Sequence, residues 1–371
     1  MKITINSAGL QDWSGSVLLI GLTEGDFNQQ LNDLGQLANK ELLLDHLKKQ
    51  NFKANPGEIF SCHLLTSDAI KLIFIGLGKL EKLELKDIRQ AASLGVRASV
   101  GFTGKLGVIL PWHQFDANSI ATATGEACRL AIFKDLRFRS IKDQKKFPAQ
   151  IELIGLTGST NHTIKKIESI CAGVELAREL VGAPPNSLTP SELANQALQV
   201  AKEHNLEAKV LEKKECKELG MGSYLAVAQG SDLDPKFIHL TYRPKSSCKN
   251  RIVMVGKGLT FDSGGYNLKV GASQIEKMKY DMGGSAAVIG AARAIGEIRP
   301  ANTEIHFIVA ACENMINGSA LHPGDIVTAS NGKTIEVNNT DAEGRLTLAD
   351  ALVYSCELKP DAIVDLATLT G

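Results

Sequence analysis

The chain has 371 residues, of which 44% are hydrophobic and 22% are charged, so it can bury sizeable cores, and its length suits two ordinary domains. Its 41 basic and 41 acidic side chains balance, which gives no overall field toward nucleic acid or an anionic membrane. It has neither the roughly 18-residue apolar run of a spanning helix nor an apolar signal segment at its start, and its seven cysteines form no Cys-x-x-Cys pair. We therefore expect free buried thiols, a cytoplasmic location, and no membrane or nucleic-acid partner.

The first part of the chain alternates apolar strand patterns with helical spacing. Strands are predicted at 16–21, 69–76, 105–110 and 150–155, and helices at 85–100 and 120–133. Strands separated by helices are typical of a largely parallel sheet that helices cover. The turn-forming stretch 156–161 then predicts a boundary between an N-terminal α/β domain at 1–160 and a second domain at 161–371.

The second part alternates in the same way. A long helix is predicted at 163–180, and a helix at 192–204 follows Thr189 as its cap and Pro190 at its first position. Further strands are predicted at 236–242, 251–255, 304–310 and 362–366, and further helices at 284–297 and 344–357. The fold class is therefore α/β, with two domains that each hold a mainly parallel or mixed sheet covered by helices. Because the chain ends directly after a strand pattern, we expect an incomplete C-terminal domain.

Acidic and basic residues gather in glycine-rich segments at the ends of these predicted elements. They are Lys257, Asp262, Lys269, Asp281, Asp341, Glu343 and Arg345. Open α/β sheets bind ligands beyond the carboxyl ends of their strands, so the four carboxylates converge if the strands are neighbours. Carboxylates packed so closely repel one another, and two divalent ions roughly 3.5–4 Å apart would neutralise them and activate water. Oxygen ligands suit Mn²⁺ or Mg²⁺, and carboxylates also bind Zn²⁺.

The basic residues of these segments have chemical uses in such a site. Lys257 would have to lose a proton to bind a metal, which a nearby dication favours. Lys269 and Arg345 are cations that could hold a carbonyl oxygen or the oxyanion of a tetrahedral intermediate. The backbone at 368–371, after the last predicted strand, could hydrogen-bond an extended substrate.

Each motif also has a purely structural interpretation. The spacing of Thr340 and Glu343 fits a capping box that only starts a helix. Asp262 before Ser-Gly-Gly fits a turn, Lys269 could be solvated, and Arg345 could pair with a surface carboxylate. The joint occurrence of the motifs at element ends favours the two-metal hydrolytic site over these alternatives.

Three segments closely resemble the leucyl aminopeptidase family, also called the cytosol aminopeptidase or M17 family. They are 255–265 (VGKGLTFDSGG), 278–284 (MKYDMGG) and 339–346 (NTDAEGRL). The resemblance is strongest from about residue 180 onward. It implies a metal-dependent aminopeptidase that removes N-terminal residues, often leucine, from peptides. By resemblance, two Mn²⁺ or Zn²⁺ ions are held by Lys257, Asp262, Asp281, Asp341 and Glu343, of which Asp262 and Glu343 bridge the ions.

The resemblance also implies roles for the remaining residues of the site. Lys269 would polarise the scissile carbonyl, and Arg345 would hold a bicarbonate that acts as general base toward the attacking water. Met278 would line the pocket for the first side chain, and Thr368, Leu369 and Gly371 would contact the substrate. The family assembles as a homo-hexamer, and its chains continue past Gly371, so part of the catalytic domain is expected to be missing.

A different function stays open from the sequence. Some bacterial members of the family are DNA-binding regulators, and a basic run between 134 and 146 is the feature of this sequence that fits that role. Its residues are Lys134, Arg137, Arg139, Lys142, Lys145 and Lys146. A solvated basic face is the alternative interpretation of this run. A third hypothesis is that bound metal only stabilises the fold.

Overall fold

The computed structural model describes residues 2–7, 9–10, 13–34, 40–63, 71–140, 145–158 and 161–370. The chain divides into two compact units, Met1–Cys171 and Ala172–Gly371. The division lies within a long helix, whereas the sequence placed the domain boundary before that helix. Each unit contains its own mixed sheet covered by helices, so the predicted fold class is confirmed.

The first unit is built on a six-stranded sheet. Its strands are β1 (Lys2–Asn6), β2 (Val17–Leu22), β3 (Ile59–His63), β4 (Lys71–Gly76), β5 (Lys105–Ile109) and β6 (Gln150–Ile154). Its helices are α1 (Phe27–Asp33), α2 (Lys40–Lys49), α3 (Leu85–Ala98) and α4 (Ala117–Ala131), and α5 (Asn161–Gly182) begins in this unit. The strand order is β1-β6-β5-β2-β4-β3, and all neighbours are parallel except β3 and β4. Residues 69 and 70 of the predicted strand 69–76 lie outside the described residues.

The central strand β2 explains why this sheet is covered on both faces. Alternate side chains of a strand point to opposite faces. Val17 and Leu19 pack into one hydrophobic cluster, and Leu18, Ile20 and Leu22 pack into another. A continuous apolar run is therefore required here, as is typical of parallel strands buried on both faces.

The second unit is built on a five-stranded sheet and a separate two-stranded one. The strands are β7 (Glu207–Leu211), β8 (Lys236–Tyr242), β9 (Asn250–Asp262), β10 (Thr303–Asn314), β11 (Ile326–Thr328), β12 (Thr334–Glu336) and β13 (Ala362–Leu366). The helices are α6 (Pro190–His204), α7 (Lys213–Glu218), α8 (Gly222–Ala228), α9 (Gly283–Ile298) and α10 (Glu343–Glu357). The larger sheet has the order β13-β9-β10-β8-β7, in which β13, β9 and β10 are parallel.

Two strands of this sheet extend further than the sequence predicted. β9 and β10 pair from Asn250 and Thr303 up to Asp262 and Asn314. Gly256, the first residue after the predicted strand 251–255, lies inside β9. A Cβ atom on Gly256 would lie 2.7 Å from the Cα atom of Ser285, so this glycine admits the first turn of α9.

Some predicted local features can be compared with the structure directly. α6 begins as predicted, with Pro190 first and the Thr189 hydroxyl accepting a hydrogen bond from Glu192 N at 3.2 Å. All seven cysteines are free thiols, which confirms that prediction. The prediction that they are all buried is wrong, because Cys248 and Cys356 are exposed. Within the described residues, no helix is long and apolar enough to cross a membrane.

Candidate metal centre

The candidate site lies where β9 ends and where two helices of the second unit begin. Lys257 lies within β9, and Asp262 is its last residue. Asp281 directly precedes the start of α9 at Met282 and Gly283. Asp341 belongs to a single 3-10 turn, after which Glu343 is the first residue of α10. Helix N-termini favour nearby negative charge, which suits these carboxylates.

Close backbone packing permits this convergence. A Cβ atom on Gly284 would lie 1.9 Å from the carbonyl oxygen of Leu366, at the end of β13. A Cβ atom on Gly344 would lie 2.8 Å from both Lys257 Cε and Leu369 Cδ1. Glycine at these positions therefore lets the first turns of α9 and α10 approach β9 and β13.

Lys257 is the centre of one half of the site. Its side chain is 3% exposed, and Nζ lies 2.7 Å from Asp281 Oδ2 and 2.8 Å from Glu343 Oε1. It also donates a hydrogen bond to the carbonyl oxygen of Thr368 at 2.8 Å, while Thr368 Oγ1 donates to Asp281 Oδ1 at 2.7 Å. Burial opposes the charge of Lys257, but Glu343 and Asp281 outweigh burial and raise its pKa. Lys257 is therefore an ammonium group in this arrangement.

Lys269 is the centre of the other half. Its Nζ lies 2.9 Å from Asp262 Oδ2 and 2.5 Å from Asp341 Oδ1, and its side chain is 12% exposed. Burial lowers the pKa of Lys269, but its hydrogen bonds to Asp341 and Asp262 outweigh burial and raise the pKa above the usual lysine value. The alternative in which Lys269 is simply solvated is wrong.

The carboxylates of the two halves face one another. Asp262, Asp341 and Glu343 each offer an oxygen atom within 4.8 Å of the others. Burial, followed by the negative charge of Asp262, raises the pKa of Glu343 to about 7, although Lys257 opposes this shift. Burial also raises the pKa of Asp281. Four carboxylates therefore converge, as the sequence predicted.

One atom tests whether a divalent cation fits this cluster. Glu343 Oε2 is buried and has no hydrogen-bond partner among the described residues. A buried carboxylate oxygen without a partner is unfavourable, and a metal ion satisfies it without requiring a donor. The surrounding oxygen atoms are also ligands that hard divalent ions accept. The residues present therefore fit a bound divalent metal ion.

The structural interpretation of Thr340 as a helix cap is wrong. Its hydroxyl donates to the carbonyl oxygen of Gly264 at 2.7 Å and accepts from Asn267 N at 2.9 Å. Thr340 N donates to Asn267 Oδ1 at 2.8 Å, and α10 has no side-chain cap. Thr340 therefore joins the segment that carries Asp341 to the loop that follows β9.

Asp262 takes part in both a turn and the acidic cluster. Its Oδ1 accepts hydrogen bonds from Gly264 N and from Asn314 Nδ2, each at 2.8 Å. Gly264 has a φ of 88°, which the sharp turn after β9 requires. Sequence reasoning missed Asn314, Thr340 and Asn267 as residues of the site. A polar residue at the end of an apolar strand pattern was the available signal for Asn314.

The other predicted residues surround this cluster. Arg345 is exposed, in the first turn of α10, and its side chain has no ion pair or hydrogen bond within the described part of the chain. The predicted surface carboxylate partner is therefore not observed there. Met278 is half-buried, and its carbonyl oxygen accepts from Asp281 N at 3.2 Å. Leu369 is 46% exposed beside Gly344. Gly371 lies outside the described residues.

The basic run of the first unit is partly engaged within the chain. Lys134 Nζ donates to the carbonyl oxygen of Lys145 at 3.1 Å and lies 4.7 Å from the centre of the Phe147 ring. Arg137 pairs with Asp135 at 2.7 Å. Residues 141–144, which include Lys142, lie outside the described residues. These contacts account for part of the run without a nucleic-acid partner.

Known families match both parts of the chain. Residues 175–371 match the catalytic domain of the cytosol aminopeptidase family, and residues 19–142 match the N-terminal domain of the same family. The first match includes every residue of the acidic cluster. The segments that carried the resemblance are therefore part of a match that extends over most of the chain.

Whole-chain relatives agree with these matches. Proteins named "Probable cytosol aminopeptidase" are 61% and 59% identical in Prochlorococcus marinus strains MIT 9211 and MIT 9313, and 57% identical in Synechococcus sp. strain CC9311. Each alignment covers 100% of this chain and 75% or 76% of the relative, which agrees with the expectation of longer family chains. None of these names supports the DNA-binding alternative. The chain belongs to the cytosol aminopeptidase family.

Proposed function

We propose that this protein is a cytoplasmic metal-dependent aminopeptidase that hydrolyses the first peptide bond of peptides and prefers leucine and similar apolar N-terminal residues. The observation that carries the proposal is the buried acidic cluster, in which Asp262, Asp341 and Glu343 offer oxygen atoms within 4.8 Å of one another. The cluster lies inside the match to the family's catalytic domain.

The acidic cluster and one lysine would hold two Mn²⁺ or Zn²⁺ ions. Their ligands would be Lys257, Asp262, Asp281, Asp341 and Glu343. When bound, divalent ions supply Lewis acidity that polarises a peptide carbonyl and lowers the pKa of water. Asp262 and Glu343 are 1% and 2% exposed, so their carboxylates are held away from competing solvent. We assign the bridging positions to these two residues.

Lys269 would stabilise negative charge on the reacting carbonyl oxygen. Two carboxylates hold its ammonium in place, and its raised pKa keeps it charged at neutral pH. A peptide carbonyl beside Lys269 would receive a hydrogen bond that strengthens as charge develops in the tetrahedral intermediate. Arg345 offers an exposed guanidinium that can bind bicarbonate through two parallel hydrogen bonds, and we propose that this bicarbonate is the general base.

Substrate contacts would come from the segment after β13 and from the residues before α9. Thr368 already bonds both Lys257 and Asp281, so its backbone lies directly beside the site. Leu369 presents an apolar side chain at the same place, and Met278 is one turn away from Asp281. These apolar side chains support a preference for leucine, and Gly371 would continue the substrate contacts of this segment.

We also propose a homo-hexamer. The segment after β9 exposes Tyr266, Leu268 and Val270 by 44%, 47% and 69%. Exposed apolar residues gathered in one segment are typical of a surface that an assembly buries. Sedimentation equilibrium measures the subunit number, and a monomer at micromolar concentration would contradict this part of the proposal.

Hydrolysis of leucine p-nitroanilide tests the proposed activity. We expect chelation to abolish turnover and added Mn²⁺ or Zn²⁺ to restore it. Asp341→Asn should lower turnover by about a thousandfold or more, because it removes an anionic metal ligand. Asp232→Asn, at an exposed aspartate outside the cluster, is the control and should be fully active.

The test separates catalysis from a purely structural metal. Circular dichroism of the chelated protein should retain its folded signal, because both cores are apolar and the cluster is partly neutralised by lysines. Unfolding on chelation would support a metal that only stabilises the fold. A folded, metal-loaded protein with no turnover, or normal turnover by Asp341→Asn, would contradict the proposed function.

A further inference from the structure

A cavity of about 660 Å³ lies in the first unit, whereas the acidic cluster belongs to the second. Its wall is formed largely by residues 21–23, 109–112 and 154–157, which lie at the carboxyl ends of β2, β5 and β6. Its volume is within the range of roughly 300–1,000 Å³ that is typical of small-molecule sites. The cavity therefore has the size of a ligand site.

The topology of the sheet explains why a crevice opens here. β2 and β5 are parallel neighbours, but the chain leaves them in opposite directions. After β2 it continues through α1 and α2 to β3 and β4 on one side, whereas after β5 it continues through α4 to β6 on the other. Open α/β sheets bind ligands at such a reversal, beyond the carboxyl ends of the strands. The cavity thus has the location of a ligand site as well as the size.

Most of the lining is apolar, and several of its polar atoms are already used. Trp112 Nε1 donates to the carbonyl oxygen of Ile154 at 2.6 Å, which fixes the indole and leaves its carbon surface as wall. Gln30 accepts from Thr23 N and donates to Thr23 O, both at 2.9 Å, so its amide holds α1 to the end of β2. The ring of Phe115 also lines the cavity. Trp112 and Phe115 therefore offer apolar surfaces against which an aromatic ring of a ligand can pack.

The charge of the lining limits the class of ligand. Asp33 supplies a carboxylate and His113 an imidazole, and no lysine or arginine is present among the described lining residues. The N-terminus of α4 is already capped by Asp116, which accepts from Ser119 N at 2.9 Å. A phosphate or carboxylate would therefore enter without the permanent positive charge of a lysine or arginine, which is unfavourable.

We propose that this cavity binds uncharged nucleosides. A heteroaromatic base packs against Trp112 and Phe115, and a ribose hydroxyl or base amino group donates to Asp33. The cavity volume suits a base with its sugar, and the lack of a lysine or arginine in the described lining favours the nucleoside over its phosphate ester. This binding does not depend on the metal centre, so it would be a separate property of the first unit.

Calorimetric titration of adenosine and uridine into the full chain, checked by saturation-transfer NMR, tests the proposal. We expect a dissociation constant on the order of 0.1 mM for at least one nucleoside. Adenosine monophosphate should bind about tenfold more weakly than adenosine, because the described lining offers its phosphate no lysine or arginine. Asp33→Asn keeps the shape of the cavity and should weaken nucleoside binding about tenfold.

Two tryptophan variants separate the cavity from its surroundings. Thr157→Trp fills the cavity from an exposed loop position, so it should fold normally and lose nucleoside binding about tenfold or more. Gln114→Trp places the same ring at an exposed position outside the lining and should bind as the unmodified protein does. Absence of binding at millimolar nucleoside, equal affinity for the phosphate ester, or equal binding by both variants would each overturn the proposal.

Discussion

Asn314 is a single side chain that joins two of the segments that converge on the acidic cluster. It donates to Asp262 Oδ1 at 2.8 Å and to the carbonyl oxygen of Thr340 at 3.1 Å, and it is 5% exposed. Asp262 ends β9, and Thr340 directly precedes Asp341. Hydrogen bonds of this kind orient metal ligands and raise metal affinity. Asn314 is therefore expected to position Asp262 without touching the metal.

We expect Asn314→Ala to lower the affinity for Mn²⁺ about 10–100-fold, because Asp262 Oδ1 loses one of its two described donors. Calorimetric titration of Mn²⁺ into the chelated protein measures this directly, without reference to turnover. Asn331→Ala, at an exposed asparagine, is the matched control and should bind Mn²⁺ normally. Equal affinities for the two variants would show that Asn314 has no positioning role.

Whether a site residue could be predicted from the sequence depends on how local its role is. Asp341, Glu343 and Asp281 lie in short motifs beside helix starts, so the convergence of carboxylates was predictable. The role of Thr340 was not, because its hydroxyl bonds a loop 76 residues earlier in the chain. The role of Asn314 likewise depends on the register of β9 and β10, in which Asn314 pairs with Asp262. No local sequence pattern reveals that register.

At the scale of elements, a buried chain of polar groups joins α10 to strands β8 and β10. Tyr354 Oη and His239 Nδ1 are 3.0 Å apart, and His239 Nε2 and His306 Nδ1 are 2.9 Å apart. His306 Nε2 then lies 3.0 Å from Glu304 Oε1, and Glu304 pairs with Arg251 at 2.7 Å. Each proton of this chain has an acceptor when both histidines are neutral.

The histidines make stability depend on pH. Burial, with a contribution from His306, lowers the pKa of His239 from 6.5 to about 4, and burial lowers that of His306. Between these values the unfolded chain binds more protons than the folded one, so stability is full above about pH 6.5 and falls toward pH 4. The lowered pKa of His239 corresponds to roughly 3 kcal/mol of folding stability, which is present at neutral pH and is lost as the pH falls through about 4.

Urea unfolding at pH 7 and at pH 4.5 measures this dependence. We expect His239→Gln to lose less stability between the two pH values than the unmodified protein, because glutamine does not titrate. The comparison cancels the carboxyl groups elsewhere in the chain, which titrate in both proteins. Equal losses would show that His239 does not contribute to the pH dependence.

The start of α9 is a second feature of the elements that can be tested. A Cβ atom on Gly284 would lie 1.9 Å from a backbone oxygen of β13, so Gly284→Ala should destabilise the protein by roughly 1–3 kcal/mol. Alanine is otherwise more favourable than glycine in a helix by about 1 kcal/mol. Any loss of stability in this variant would therefore come from the steric overlap of the added Cβ atom with β13. Gly318→Ala is the control, because a Cβ atom there meets nothing within 4 Å. The urea midpoints of the two variants should differ clearly, and equal midpoints would contradict the packing argument.

Burial explains which elements the sequence predicted. Strands such as β2 and β5 are buried on both faces, so their apolar runs are continuous. The edge strands β1, β3 and β7 were missed, because their side chains alternate with exposed positions or are largely exposed. The part of β9 after residue 255 was missed because Gly256 and Gly258 are typical of a loop. Gly256 instead admits α9, which lies more than twenty residues further along the chain, and Gly258 lies against β10.

At the scale of the whole molecule, the two units owe their folds to separate apolar cores. Two hydrophobic clusters belong to the first unit and two to the second. Alternation of strands and helices along the sequence was sufficient to predict this plan. The position of the division was less predictable, because α5 contributes residues to both units and its helical pattern has no break.

The position of β9 between β13 and β10 has a consequence for amide hydrogen exchange. β9 pairs with β10 up to Asp262 and also with β13 over Ile252–Gly256, so deuterium should enter its amides only when the whole unit unfolds. Backbone hydrogen bonds described for residues 270–281 connect only residues within that stretch, so their amides should exchange through local opening. Mass spectrometry should find that these amides exchange at least about a hundredfold faster than those of β9. Uniform exchange across both segments would contradict this expectation. If exchange differs as expected, Lys257 and Asp262, which are both paired with β10, keep their places for the lifetime of the folded unit, while the stretch that leads into Asp281 opens and recloses many times.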